Sequence, residues 1–440
     1  MSDFYLNRSP AGPSYVIINT FNLTKDVILL DEADRSTTKR SYFTNFWVAR
    51  FFSSIAFQMA SVAIGWQMYN LTHDAFSLGL VGLAEFVPMV LLTLIVGQVA
   101  DRFDRRKIVV ICQIVECAFL ALLLVGNVGG WLGSNQILLV AAILGACRAF
   151  EGPASSAILP QLVSKEMLPK AIAWSTSTWQ TSSIVGPTLG GLLFAIGPNL
   201  VYSIAVAALL ASAVLIFLIR VELRVRKAEP VSLRTLFSGV EFVWRHPMIL
   251  GTISLDLFAV LLGGATALLP IFAQDILHTG PWGLGFMRTA PAIGALLMSL
   301  VLARYPLQKA AGPALFGALA VFGLATILFA VSTNLTVSMV ALFLTGASDV
   351  VSVVIRSSLV QLHTPDEMRG RVNAVNSLFI GTSNQLGEFE SGTMAGFFGA
   401  VPAVIIGGIG TLVVAGLWMA MFPQLRRLRG LTGSLEKKSA

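Results

Sequence analysis

The sequence predicts an all-α membrane protein, with twelve transmembrane helices in two pseudo-symmetric six-helix bundles around a central cavity. Three observations lead there: the chain nearly avoids charge, its basic residues fall on alternate connections, and its two halves repeat.

Only 12% of the 440 residues are charged and 55% are hydrophobic, with a mean hydropathy of +0.77. Folded soluble chains carry about 25% charge, whereas a helix that crosses lipid needs about 20 mostly apolar residues. Twelve such stretches can be read, near 44–69, 78–98, 108–127, 135–157, 171–196, 200–219, 248–273, 283–303, 313–331, 335–356, 373–398 and 402–422. Lipid offers no partner for backbone polar groups, so these spans are helices.

All but four of the 30 Lys and Arg residues lie in the termini or in the connections after spans 2, 4, 6, 8 and 10. The connections after the odd-numbered spans hold none, and Arg50, Arg148, Arg288 and Arg356 fall inside spans. This asymmetry places both termini in the cytoplasm of a multi-pass inner-membrane protein. The net charge of +7 then answers to anionic inner-leaflet lipid and not to nucleic acid.

The spans divide six and six about the longest basic connection. The expected organisation is a polar, mostly disordered tail at 1–42, an N-terminal bundle at 43–219, a cytoplasmic linker at 220–246, a C-terminal bundle at 247–425 and a basic tail at 426–440. The halves repeat in two places. "GLAEFVPMVLLTLIVGQVADR" of span 2 aligns without gaps with "GFMRTAPAIGALLMSLVLARY" of span 8, 203 residues on, so that Gly82 meets Gly285 and Pro88 meets Pro291. "GPTLGG" at 186–191 meets "GEFESG" at 387–392, 201 residues on. Such internal repeats describe a pair of six-helix bundles facing each other, with a cavity between them at mid-membrane.

Cys112, Cys117 and Cys147 all lie in spans and read as packing residues without disulfide or zinc spacing. No metal or cofactor is expected. No ATP-binding Gly-rich loop, zinc-protease motif or nucleophile elbow occurs, which speaks against a primary pump and an intramembrane enzyme. Pro88, Pro187, Pro270 and Pro291 in mid-span read as kinks that neighbouring helices repair.

One stretch, "GQVADRFDRRK" at 97–107, concentrates charge after span 2. It resembles the loop between the second and third helices of the major facilitator superfamily, matching at Gly97, Asp101, Arg102, Arg105 and Arg106, with Asp104 where that pattern has glycine. "LGACRAFEG" resembles the superfamily's fourth-helix motif, with Arg148 on its arginine and Glu151 at its glutamine position. "IVGPTLGG" resembles the fifth-helix antiporter motif at Gly186, Pro187, Gly190 and Gly191, with Ser182 and Ala173 at the two upstream glycine positions. Span 1 and the runs "PASSAILPQLVSKEMLPKAIAW" and "TPDEMRGRVNAVNSLF" resemble the enterobactin-exporter branch, which also holds macrolide and multidrug efflux pumps. The resemblance covers about residues 42–425. It implies alternating access, with Asp101 meeting the N-terminal end of span 11 near Arg371 when the cytoplasmic side is closed. Orientation of span 2 alone would need the arginines but no acid.

Ionisable groups in mid-membrane cost about 2.5–3.5 kcal/mol each, so each needs a reason. Seven acids qualify: Glu85, Glu116, Glu151, Asp256, Asp349, Glu388 and Glu390. Arg148 and Glu151 share a helix face and read as an ion pair or a proton-relay element. Glu388 and Glu390 lie in the outer half of span 11 and point to nearly opposite sides, so one is expected toward the cavity and the other toward its own bundle. Arg288 aligns with Glu85 in the repeat and reads as a counter-charge for an anionic substrate or as part of an outer gate, with packing as the plain alternative. Coupling to protons or substrate is expected of Glu85, Arg148, Glu151, Arg288, Glu388 and Glu390.

Together these readings describe a secondary active exporter and not an enzyme: the expected activity is proton antiport of an amphiphilic small molecule, with a siderophore ahead of a drug or macrolide, by a monomer in the bilayer. A non-transporting membrane sensor or assembly partner with the same fold is the rival from another class.

Overall fold

The computed structural model describes residues 20–164, 166–220, 233–305, 310–428 and 430. Side chains are described from residue 41 onward, apart from 93, 94, 97, 98, 100, 101, 233–237, 239, 366, 374, 377 and 378. The helices in chain order are α1 (Thr20–Thr72), α2 (Ala75–Arg102), α3 (Arg105–Val128), α4 (Ser134–Leu162), α5 (Leu168–Ile196), α6 (Pro198–Phe217), α7 (Leu233–Arg245), α8 (Pro247–Leu262), α9 (Leu269–Ile271), α10 (Gly280–Arg304), α11 (Ala311–Val331), α12 (Leu335–His363), α13 (Asp366–Phe398), α14 (Ala400–Met421) and α15 (Pro423–Arg426). A 3₁₀ turn (Ala265–Leu268), α9 and a π turn (Phe272–Ile276) extend α8 into one spanning unit, Pro247–Ile276.

Ten of these units are long and apolar enough to cross a membrane. α5 and α13 are long enough but too polar to qualify, because Ser, Thr, Gln, Asn and Glu residues interrupt them. Each packs on a helix of the other half, α5 on α10 and α13 on α2, so part of their polar surface, Gln180, Thr188 and Glu388 included, meets protein.

α1 begins well before the first apolar stretch. Residues 20–42 continue it as helix, in place of the irregular tail expected there, and residues 1–19 lie outside the described residues. No Gly or Pro occurs between residues 20 and 64 to stop the helix. Its 53 residues reach about 80 Å, far beyond the hydrocarbon thickness of about 30 Å. In the linker, residues 221–232 lie outside the described residues, and the remainder forms α7, which buries Val243 against Ile249, Ile253, Val360 and Val372.

Local signals set the other boundaries. Asp74 accepts from the backbone N–H of Phe76 and Ser77 at 3.2 and 2.9 Å and caps α2. Asp104 accepts from the N–H of Arg106 at 2.9 Å and caps α3. Asn334 caps α12 in the same way, and Pro198 and Pro247 open their helices at the first position.

Packing repeats between the halves. In the first, α2 packs on α4, α1 on α5 and α6, and α3 on α4 and α6. In the second, α10 packs on α12, α8 on α13 and α14, and α11 on α12 and α14. The halves meet through two reciprocal pairs, α5 with α10 and α2 with α13.

The end of the molecule that carries the α2–α3 and α4–α5 connections is called the basic end here, and the other the far end. The bundles are joined in the far half. Gly191 of α5 packs on Pro281 and Gly285 of α10, and Gly79 of α2 packs on Phe389 and Gly392 of α13. Thr188 and Thr289 Oγ1 atoms share a hydrogen bond of 2.7 Å, and Gln180 donates to the Ala292 carbonyl at 3.3 Å. Tyr69 at the end of α1 donates to Asp275 in the π turn. Toward the basic end, Trp174 and Trp179 of α5 and Leu297, Leu300 and Val301 of α10 are exposed.

Candidate functional site

The site grows from one face of α1. Ser53, Phe57, Ser61 and Gly65 recur every four residues on it, and each meets a charged side chain from another helix. Ser53 donates to Glu151 at 2.9 Å. The Phe57 ring lies 3.5 Å beneath the Arg148 guanidinium. Ser61 accepts from Arg288 at 2.9 Å, and Gly65 leaves room for the same guanidinium.

Arg148 and Glu151 do not form the ion pair that their spacing allows. Glu151 Oε1 accepts from Ser53 and from Gln113 of α3, each at 2.9 Å, while Glu151 Oε2 and Arg148 Nε and Nη2 are buried without a hydrogen-bond partner. The donors on α1 and α3 reach the carboxylate across the bundle, and the arginine is left to stack on Phe57. Glu116 is buried nearby with one oxygen unpartnered.

Arg288 crosses the boundary between bundles. From α10 it reaches Ser61 of α1, and Glu85 of α2 and Glu388 of α13 both lie within electrostatic range. Glu388 presses against α2: a Cβ at Gly82 would sit 2.8 Å from its Oε2, so only glycine leaves that space. Glu85 interacts with the side-chain amide of Gln385, one turn before Glu388, and is also within range of Arg148. The result is a row of alternating sign, Glu151, Arg148, Glu85, Arg288 and Glu388, running from the first bundle into the second. Glu390 does not join it; it is half-buried and reaches Ser391 at 3.4 Å.

Within the antiporter motif, Gly186 and Gly190 bring α5 against Gln58 and Met59 of α1, and Gly191 brings it against α10; the Pro187 carbonyl abuts Gly285. In the charged loop, Arg105 donates to the Ala157 carbonyl at 3.4 Å, Arg106 donates to the Ile219 carbonyl, and Arg102 is exposed. The side chain of Asp101 and the surroundings of Gly97 lie outside what the structure describes. Arg371 donates to Ser238 of α7 at 3.3 Å. Asp104, which departs from the superfamily glycine, is the cap of α3.

Ser61, Gln385, the Thr188–Thr289 bond and the Tyr69–Asp275 bond are not visible as functional positions in the sequence. Gln385 carries a weak signal, being an amide in a span, whereas Ser61 is one of many hydroxyls. Among the described residues no cluster of His, Cys, Asp and Glu could hold a metal ion.

This arrangement is that of a two-bundle membrane transporter. Residues 36–431 match the family described as transmembrane secretion effector, and the chain belongs to that family of the major facilitator superfamily. It is 26% identical over 410 residues to the enterobactin exporter EntS of Escherichia coli O157:H7, covering 88% of this chain and 93% of that one, and equally so to EntS of Shigella boydii. Among solved structures, a bacterial homolog of the human lysosomal transporter Spinster, inward-facing and unoccupied, superposes with a TM-score of 0.70 at 13% identity over 90% of this chain and 98% of that one. The nucleoside transporter NupG gives 0.61 at 16% identity, over 87% and 99%. The chain is a secondary transporter and not an enzyme.

Proposed function

We propose that the chain exports an amphiphilic small molecule across the bacterial inner membrane in exchange for protons, with a siderophore as the leading cargo. The observation that carries this reading is the charged row crossing the bundle boundary. Parting the bundles at the far end separates Arg288 from Ser61, Gln385 from Glu85 and Glu388 from Gly82, and each charge so exposed needs a new partner. Protons on the acids and an anionic cargo on Arg288 are chemically matched to that need. The similarity to the enterobactin exporters favours export and a siderophore. The position of Lys and Arg favours a cytoplasmic basic end with both termini there, and a monomer suffices because both halves of the row lie in one chain.

The experiment is the siderophore content of spent medium from an iron-starved host lacking the gene, against its complemented parent. Less siderophore outside, with accumulation inside, supports the reading and identifies the cargo by mass. Unchanged levels remove the host's siderophores, and dye and antibiotic efflux then becomes the assay.

A further inference from the structure

A second group of charges lies inside the C-terminal bundle, away from the bundle boundary. Arg356 of α12 is buried and pairs with Asp256 of α8, which is nearly as buried. Its other terminal nitrogen lies 3.9 Å from Asp349 Oδ1, two turns earlier on its own helix. Its Nε donates to the Ser352 carbonyl at 3.3 Å.

Asp349 differs from Asp256 in its surroundings. Its side chain is 44% exposed, and it lines internal space. One cavity of about 350 Å³ runs from Asp349 and Asn384 to Arg288 and Glu388. Another, of about 180 Å³, runs from the same two residues to Asp256, Arg356 and Asn376. Asp349 is the charged residue common to both. Ser352, one turn on, faces the same group, and its Oγ is buried without a hydrogen-bond partner.

The groups facing Asp349 can be counted by element. α12 brings Arg356, α8 brings Asp256, α10 brings Arg288, α13 brings Glu388, and α11 lines the cavity with Phe322, Thr326 and Phe329, which carry no charge. Arg356 is engaged by Asp256 at closer range, and Arg288 is turned to Ser61 between Glu85 and Glu388. Asp256, Asp349 and Glu388 of this bundle therefore share two guanidinium groups, one of which, Arg288, also faces Glu85. Of the two acids on Arg356 it is Asp349 that holds the longer contact and opens to the cavities. In a membrane interior such a carboxylate is stabilised by taking up a cation.

We propose that Asp349 is a proton-binding site, reached through these two cavities, with the Asp256–Arg356 pair as its fixed positioning element. One carboxylate oxygen takes the proton from a hydronium ion in the cavity, leaving water. On release the proton returns to a water molecule as the carboxylate falls back on Arg356. The link of this proton to export rests on the antiport reading above; occupancy of Asp349 does not.

Infrared difference spectra between acid and alkaline buffer test it, on the full-length protein in lipid with aspartate carbon-13-labelled at the side-chain carboxyl. The label separates aspartic from glutamic acids, including Glu85 and Glu388. Wild type is expected to show a labelled, high-frequency C=O band, the mark of a carboxylic acid away from bulk water. Asp349→Asn should lose that band, and Asp349→Glu should replace it with an unlabelled one, which also guards against misfolding of the asparagine variant. A labelled band unchanged in Asp349→Asn overturns the proposal, as does its absence from wild type. If the band behaves as expected but enterobactin moves no protons into or out of proteoliposomes, the antiport reading falls and the site stands.

Discussion

Arg148 and Asp349 occupy equivalent places in the two halves. Each follows by one turn a glycine, Gly145 or Gly346, on which the backbone of a neighbouring helix rests: Glu85 of α2 on Gly145, and Pro291 of α10 on Gly346. The same correspondence sets Glu85 against Arg288, each three residues before a proline. The repeat thus conserves the helix crossing and inverts the charges around it, acid then base in one half and base then acid in the other. A row of alternating sign across the boundary follows from this inversion.

The two crossings depend on the glycines. A Cβ at either position would collide with backbone, which cannot turn aside as a side chain can. Gly145→Ala and Gly346→Ala should each cost about 1–3 kcal/mol through overpacking. Gly416→Ala, in open space on α14, should be neutral or gain up to about 1 kcal/mol of helix propensity. Thermal unfolding in detergent micelles separates them; a Gly346→Ala protein as stable as wild type would sink the close-crossing account.

Asp104 gives a local test. Its role as cap means that Asp104→Ala should lose about 1 kcal/mol, whereas Asp104→Gly, which restores the superfamily residue, should lose only a few tenths. Its 3.5 Å contact with Arg106 is too exposed to add much. Equal losses in the two variants, in the same unfolding assay, would assign the residue to charge and not to capping.

Periodic features were readable because they repeat: apolar length, alternation of basic connections, and the offsets of 203 and 201 residues. The partners of charged groups were not. Arg148 and Glu151 have the right spacing to pair, yet Ser53 and Gln113, from two other helices, take the carboxylate. Ser61 and Arg288 are 227 residues apart, and nothing in span 1 distinguishes Ser61 from its neighbouring hydroxyls until α1 and α10 are placed together. The polarity of α5 and α13 is legible as composition, but that both helices pack on the other bundle depends on tertiary contacts.

The far-end seal between α5 and α10 should be lockable. Thr188 and Thr289 bring their Oγ1 atoms to 2.7 Å, so cysteines there are placed to bond. Mild oxidation of Thr188→Cys/Thr289→Cys should cross-link the bundles and abolish export of the siderophore proposed above as cargo, and reductant should restore it. Export that survives full cross-linking would mean that this seam does not open during transport.

Arg288 holds the charge balance at the boundary, with Glu85 and Glu388 on either side. Replacing it alone, as Arg288→Met, leaves two acids without their shared counter-charge. Breaking a buried ionic group in this way costs about 3–5 kcal/mol, so yield and thermal stability should fall sharply. Adding Glu388→Gln removes one of the stranded charges and should recover a substantial part of the loss, which a double-mutant cycle reads directly. Export should stay low in the double variant, because Arg288 and Glu388, two of the charges that must find new partners when the bundles part, are gone. Recovery of export along with stability would reduce Arg288 and Glu388 to a packing pair, whereas additive losses would show that the two side chains do not sense each other.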